Sequence, residues 1–268
     1  MFLTIFHFLS EHPINSICLA VSLGLAGGHL ARHLAANLPA WLELSWQNEA
    51  QEYLGIVSQE ATSTAAQPAT LQTAVQRQVR SLERVYRATK AVDKWRFPVW
   101  EVAGAVLVTL AGLQSGFNFW GLAVAMALLI GLVAAVIDAR TMLLPDVLVL
   151  PLIWLGLTAT AITSPALIQE NVLACAAGYL CLFMLPMGRG DAKLFAAIGA
   201  WAGYEGLILG ITVGSLAGVV LGLYLLAKRG ASLPYAFGPC LYMGMVLSLL
   251  FPNSFHMMRE FLQAVFIN

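Results

Sequence analysis

Residues 118–146 read NFWGLAVAMALLIGLVAAVIDARTMLLPD. The first 20 of them, up to Ile137, carry no charge, and about 20 apolar residues in a helix are enough to cross the hydrocarbon layer of a bilayer. The run ends on Asp138, with Arg140 two residues later. A carboxylate where a membrane helix meets water is costly, and it marks a functional position by default. Pro145 and Asp146 then restart the chain, because proline suits the beginning of a helix and an acidic residue suits its first turn.

The rest of the chain follows the same pattern. Of 268 residues, 59% are hydrophobic and 10% charged, whereas soluble domains are about 25% charged. Apolar stretches predict an all-α polytopic membrane protein with about eight transmembrane helices. They lie at about 14–36, 98–114, 118–137, 147–163, 170–187, 192–203, 205–227 and 236–256. The stretch 192–203 is too short to cross alone and follows a glycine turn. No Lys or Arg precedes Arg32, so the basic region of a cleaved signal is missing and the first helix is expected to remain as an anchor. With the amino terminus outside, 13 of the 14 basic residues fall on one side, Arg259 being the exception. The positive-inside rule makes that side the cytoplasm; with the resemblance described below, the expected location is a bacterial inner membrane with its amino terminus in the periplasm.

Three divisions follow: a first transmembrane helix at 1–36, a cytoplasmic domain at 37–97 and a membrane domain at 98–268. The cytoplasmic stretch is Ser/Thr/Ala/Gln-rich at 58–70, then basic and helix-prone, with seven Lys or Arg within 77–96 against Glu83 and Asp93. Such a segment is drawn to an anionic leaflet at about 1 kcal/mol per charge. It lacks the aromatic platform and the motif of a nucleic-acid binder, so no nucleic acid is expected as a partner. Cys18, Cys175, Cys181 and Cys240 lie in apolar stretches and form no C-x-x-C pair; they read as packing residues. Gly206, Gly210, Gly214, Gly218 and Gly222 recur every fourth residue, which predicts a helix face that a neighbour approaches closely.

Of four aspartates, Asp138, Asp146 and Asp191 stand at the ends of apolar segments, all at the expected cytoplasmic boundary. Asp191 follows a glycine turn, Gly188-Arg189-Gly190-Asp191. Two carboxyls that meet there are the minimum equipment for activating a water by acid–base catalysis. A few ångströms apart they cannot both ionise, so one stays protonated while the other acts as base. Gly190 would let the backbone approach the other aspartate or a substrate strand without a Cβ in the way. Capping of helices, or pairing with Arg140 and Arg189, accounts for the same residues, and spacing alone leaves both readings open.

Asp138-Ala139-Arg140-Thr141-Met142-Leu143-Leu144-Pro145-Asp146 and Gly188-Arg189-Gly190-Asp191-Ala192-Lys193-Leu194, in that order, resemble the two signature motifs of the type IV prepilin peptidases, membrane aspartic peptidases of the Gly-x-Gly-Asp kind. Further likeness lies in Leu25-Ala26-Gly27-Gly28-His29-Leu30 through Asn37-Leu38-Pro39, in Arg96-Phe97-Pro98-Val99-Trp100-Glu101 and in Pro234-Tyr235-Ala236-Phe237-Gly238-Pro239. The likeness covers nearly the whole chain except about 50–90. It implies that Asp138 and Asp191 are catalytic, that Gly188, Gly190, Lys193, Pro145 and Asp146 support them, and that the substrate is the membrane helix of a prepilin or pseudopilin precursor, cut after its short basic leader. By this reading Asp146 caps or orients rather than catalyses, Lys193 steadies a substrate carbonyl or snorkels to the interface, and Glu101 touches substrate or is a boundary charge.

Many family members also carry two C-x-x-C pairs that bind zinc between the first two helices, and they N-methylate the mature pilin with S-adenosylmethionine. This chain has none of those cysteines. The peptidase needs no cofactor, zinc is not expected, and the resemblance leaves S-adenosylmethionine open. A preflagellin-type peptidase shares both motifs, but the long amino-terminal extension favours the prepilin branch. A small transporter would carry polar residues at mid-membrane or an inverted repeat, and the sequence has neither. Purified protein is expected to contain no stoichiometric zinc by elemental analysis, and a chelator should leave cleavage unchanged. One zinc per chain would mean that ligands such as His33 stand in for the thiolates.

Overall fold

The computed structural model describes residues 13–61, 99–185, 188–229 and 235–253, together with Phe255, Met257 and Glu260; of residues 13, 15 and 43–61 it describes the backbone alone. Regular structure among them is helical: α1 (Pro13–Ala61), α2 (Val99–Ser115), α3 (Phe119–Thr141), α4 (Asp146–Thr163), a 3-10 turn at Pro165–Leu167, α5 (Ile168–Phe183), α6 (Arg189–Arg229) and α7 (Gly238–Leu250). Five stretches are long and apolar enough to cross a membrane: Ser16–Leu42, Phe119–Thr141, Asp146–Thr163, Pro165–Phe183 and Arg189–Lys228. Val99–Ser115 and Gly238–Leu250 are shorter apolar helices. The fold is that of an all-helical, multi-pass membrane protein.

The stretches expected at 192–203 and 205–227 both lie in α6, which is two helices meeting at a kink at Gly203 (φ 63°, ψ −158°). A glycine there lets the helix change direction within one residue, at the point where the sequence reading divides the two stretches. The chain forms two compact units, Met1–Ala31 with Val99–Asn268, and Arg32–Pro98. In the second of these, α1 continues through Pro39 to Ala61 where the sequence suggests an exit from the helix at Leu38-Pro39. Proline removes one hydrogen bond from the ladder, and membrane helices tolerate it when neighbouring groups compensate. The basic stretch at 77–96 lies outside the described residues.

α3 is the central helix of the larger unit: 61% of its most apolar window is buried, against 22–33% in the other four. Its neighbours come close because small residues line the contacts. Gly131 faces the ring of Tyr242 in α7, whose hydroxyl donates to the Leu128 carbonyl at 2.7 Å. Gly156 of α4 receives the indole of Trp201, whose Nε1 donates to the Leu152 carbonyl at 2.9 Å. Four glycines of the α6 repeat do what the spacing implies: Gly210 meets the backbone at Gly244, Gly214 meets Leu241, and Gly218 and Gly222 receive Phe237 and Tyr235, while Gly206 faces Ala202 and Ile198 of α6 itself.

A buried polar link secures the break in α6. Asn171 of α5 donates its side-chain amide to the carbonyl of Ala200, three residues before Gly203, at 3.1 Å, and to Thr160 Oγ1 of α4 at 3.1 Å. Three helices thereby satisfy one another's buried groups, as lipid surroundings require.

α1 and α2 cross backbone against backbone. A Cβ at Gly104 would overlap the Gly24 carbonyl and lie 2.8 Å from the Gly28 Cα. Gly104→Val is therefore expected to cost about 1–3 kcal/mol by overpacking, lowering the thermal midpoint in detergent by several degrees. Val102→Leu, on an exposed face of the same helix, should leave it unchanged. Equal midpoints for both variants would show that the crossing is looser than the geometry implies.

Candidate active site

α3 ends where the candidate site begins. Asp138 lies in its last turns and is buried, 4% exposed. The helix stops because Met142 takes a left-handed conformation (φ 55°) and returns its amide to the Asp138 carbonyl at 2.8 Å. This single-residue cap turns the chain into Leu143-Leu144-Pro145. Pro145, at φ −69°, is the N-cap of α4, and Asp146 is its first residue.

The Asp138 carboxylate points away from this turn, at the amino terminus of α7. Its Oδ2 accepts the Gly238 amide at 2.9 Å. Gly238 is the first residue of α7 and Pro239, having no amide hydrogen, is the second, so the positive end of the helix dipole presents the Gly238 donor to the carboxylate. A Cβ on Gly238 would sit 2.5 Å from Oδ2. Glycine is required by that approach.

Asp191 occupies the third position of α6, whose helix begins at Arg189. Its carboxyl folds back to the Gly188 amide, as the third residue of a capping box reaches back to the N-cap. Gly188 leaves room for it: a Cβ there would be 3.1 Å from Oδ2. Each aspartate thus rests on one backbone amide of a glycine at a helix start. The two carboxyls lie close enough to interact electrostatically, and both act on the buried thiol of Cys240 in α7. The pair sits where the ends of α3, α6 and α7 converge.

The supporting residues act differently from one another. Gly190 does not face the other aspartate; a Cβ on it would lie 2.7 Å from the Leu144 Cβ, so this glycine admits the turn between α3 and α4. Lys193 holds both oxygens of Asp146 at 2.6 Å, joining the start of α4 to the first turns of α6. Glu101, in the first turn of α2, pairs with His29 at 3.3 Å. The preceding residue, Trp100, lies under the Arg140 guanidinium, 5.7 Å from the ring centroid. Sequence reasoning places Glu101 near the site but not its partner His29. It also finds no role for the Gly238 amide, although a Gly-Pro pair opening a helix is a visible signal.

A profile of the type IV leader peptidase family matches residues 123–223, which contain both aspartates. The prepilin leader peptidase/N-methyltransferase of Pseudomonas aeruginosa is 33% identical over 96% of this chain and 97% of its own length. Proteins of the same name from Xanthomonas campestris and Dickeya chrysanthemi are similar: the first is 31% identical over 87% of this chain and 91% of its own, the second 30% over 91% and 96%. The chain belongs to the type IV leader peptidase family. No solved structure matches it. As a member of that family, it carries its two aspartates at helix ends of a multi-pass membrane protein. Among the described residues no three His, Cys, Asp or Glu side chains converge as metal ligands. The stretch at 62–98 lies outside them.

The pairing of Lys193 with Asp146 has a stability signature in this leader peptidase. Asp146 is about half exposed, so the pair contributes up to about 1 kcal/mol. Lys193→Met is expected to lower the thermal midpoint by about 1–4 °C, and exchanging the two charges in an Asp146→Lys, Lys193→Asp double variant should recover most of it. No recovery would mean that the two residues act separately.

Proposed function

We propose that the protein cleaves the leader from type IV prepilin or pseudopilin precursors, with Asp138 and Asp191 as its catalytic dyad. The observation that carries this reading is that two carboxyls from different helices, each bonded to a glycine amide, come within electrostatic reach at one end of the bundle. The names of the relatives, prepilin leader peptidase/N-methyltransferase, support the choice of substrate.

The chemistry follows from the pair. With one proton shared between them, the ionised carboxylate takes a proton from a water and the protonated partner donates to the scissile carbonyl. Hydroxide adds to the carbonyl carbon, giving a tetrahedral diol. Its collapse breaks the C–N bond while a carboxyl returns a proton to the departing amine. The Gly238 and Gly188 amides hold the carboxyls so that little reorganisation accompanies the step. Arg140, Arg189 and Lys193 near the dyad, read by the positive-inside rule, support a cytoplasmic position for this end, with the amino terminus in the periplasm. A precursor with a basic leader and an apolar helix would then lie in the bilayer with its scissile bond beside the dyad.

Methyl transfer to the new pilin terminus, with S-adenosylmethionine as donor, is the second activity we propose, because the relatives carry it in their names. The donor would supply the methyl group. No described residue is assigned to holding it.

Asp138→Asn and Asp191→Asn should each reduce cleavage of a co-expressed precursor to background, a loss of at least about a thousandfold, because members of one catalytic unit cost nearly as much singly as together. A gel shift reads the processed form, and full processing by either variant would refute the dyad. In the same preparation, labelled S-adenosylmethionine should mark the mature terminus, read by mass spectrometry. A cleaved but unmethylated terminus would show a peptidase alone.

A further inference from the structure

A second cavity opens at the other end of the bundle. It holds about 230 Å³ and is lined by Gln114 and Ser115 at the end of α2, Trp120 at the start of α3, Trp201 and Glu205 on either side of the Gly203 break, and Ser248 near the end of α7. The length of α3 separates Trp120 from Asp138, about 27 Å at 1.5 Å per residue, so this cavity is not part of the aspartate site.

Its lining selects for a particular chemistry. The indoles of Trp120 and Trp201 are tilted at 50° with centroids 5.7 Å apart. Among the described residues of the lining, Glu205 is the only acidic side chain, and it makes no ion pair with another described residue. The other polar groups, an amide and two hydroxyls, can all offer oxygen acceptors. One carboxylate with aromatic faces and neutral oxygens favours a cation that keeps some apolar surface. Divalent metals take six to eight oxygens, usually with several carboxylates, and no group of three ligating side chains is present among the described residues. An alkylammonium group fits: its charge meets the carboxylate and its C–H surface meets the half-buried indole of Trp120, which the buried Trp201 backs, with cation–π attraction at that ring.

Position identifies the source of that group. The cavity lies level with the turn at Gly116 (φ 78°) between α2 and α3, where membrane helices end, phospholipid headgroups lie and tryptophan is enriched. We infer that this cavity binds the ammonium end of a phosphatidylethanolamine headgroup, on the leaflet opposite the aspartates.

The test uses the full-length protein purified in detergent, titrated with phosphatidylethanolamine or phosphatidylglycerol and analysed by native mass spectrometry. The expected result is one phosphatidylethanolamine retained per chain at about a tenfold lower concentration than phosphatidylglycerol. Glu205→Gln should abolish that tenfold preference, about 1.4 kcal/mol, and leave phosphatidylglycerol retention unchanged. Trp120→Leu should weaken the preference as well. Soluble ethanolamine distinguishes the sources: needing a large excess to displace the lipid supports the headgroup, while displacement at equal concentration means that a free amine fills the site. Equal retention of the two lipids by the unmodified protein, or an unaltered preference in Glu205→Gln, would overturn the inference. Leader cleavage is measured separately and should persist in Glu205→Gln, so loss of this site and loss of the dyad remain distinguishable.

Discussion

A carboxylate buried at the end of an apolar helix has to find its hydrogen-bond donors inside the protein, because hydrocarbon supplies none. Asp138 finds one at the amino terminus of α7, in the Gly238 amide 2.9 Å from its Oδ2. Much of the larger unit is arranged so that this contact can form. Met142 ends α3 just beyond the aspartate, Pro239 leaves Gly238 as the donor at the start of α7, and glycines draw α7 against α3 and α6. A methyl group on Gly238 would occupy the carboxylate's place.

Close helix approach is the second part of the same constraint. In a bilayer, packing and internal hydrogen bonds replace the hydrophobic effect as the force between helices. Backbone therefore meets backbone where Gly24 and Gly28 cross Gly104, and where Gly210 meets Gly244. Polar side chains pair across the bundle: Tyr242 with Leu128, Trp201 with Leu152, and Asn171 with both Thr160 and Ala200. These contacts leave the helix ends free to converge, and the aspartates are carried there by rigid elements and not by loops.

The bundle uses its two ends differently. At one, carboxyls rest on glycine amides with Lys193 and Asp146 joining the neighbouring helix starts. At the other, a break in α6 leaves an open cavity of aromatic rings and a carboxylate. The first is suited to reacting with a chain that enters from the bilayer, and the second to holding a group at the membrane surface.

The all-helical membrane class was readable from residues alone, because roughly 20-residue apolar runs have few other solutions. Asp138, Asp146 and Asp191 were singled out for a related reason, since a carboxylate at a span end is costly, and the resemblance to the two family motifs chose Asp138 and Asp191 from among them. The glycine repeat of α6 likewise announced a contact face, as its spacing matches the helix period. Which partner each residue meets was decided only by tertiary structure. Gly190 opens onto Leu144 and not onto an aspartate, Lys193 holds Asp146, and Glu101 pairs with His29, 72 residues away. Local rules such as helix period and turn preference act over a few residues, while these contacts join helices far apart in the chain. The kink at Gly203 belongs to the same class: the residue permits it, and Asn171 on another helix bonds the Ala200 carbonyl beside it.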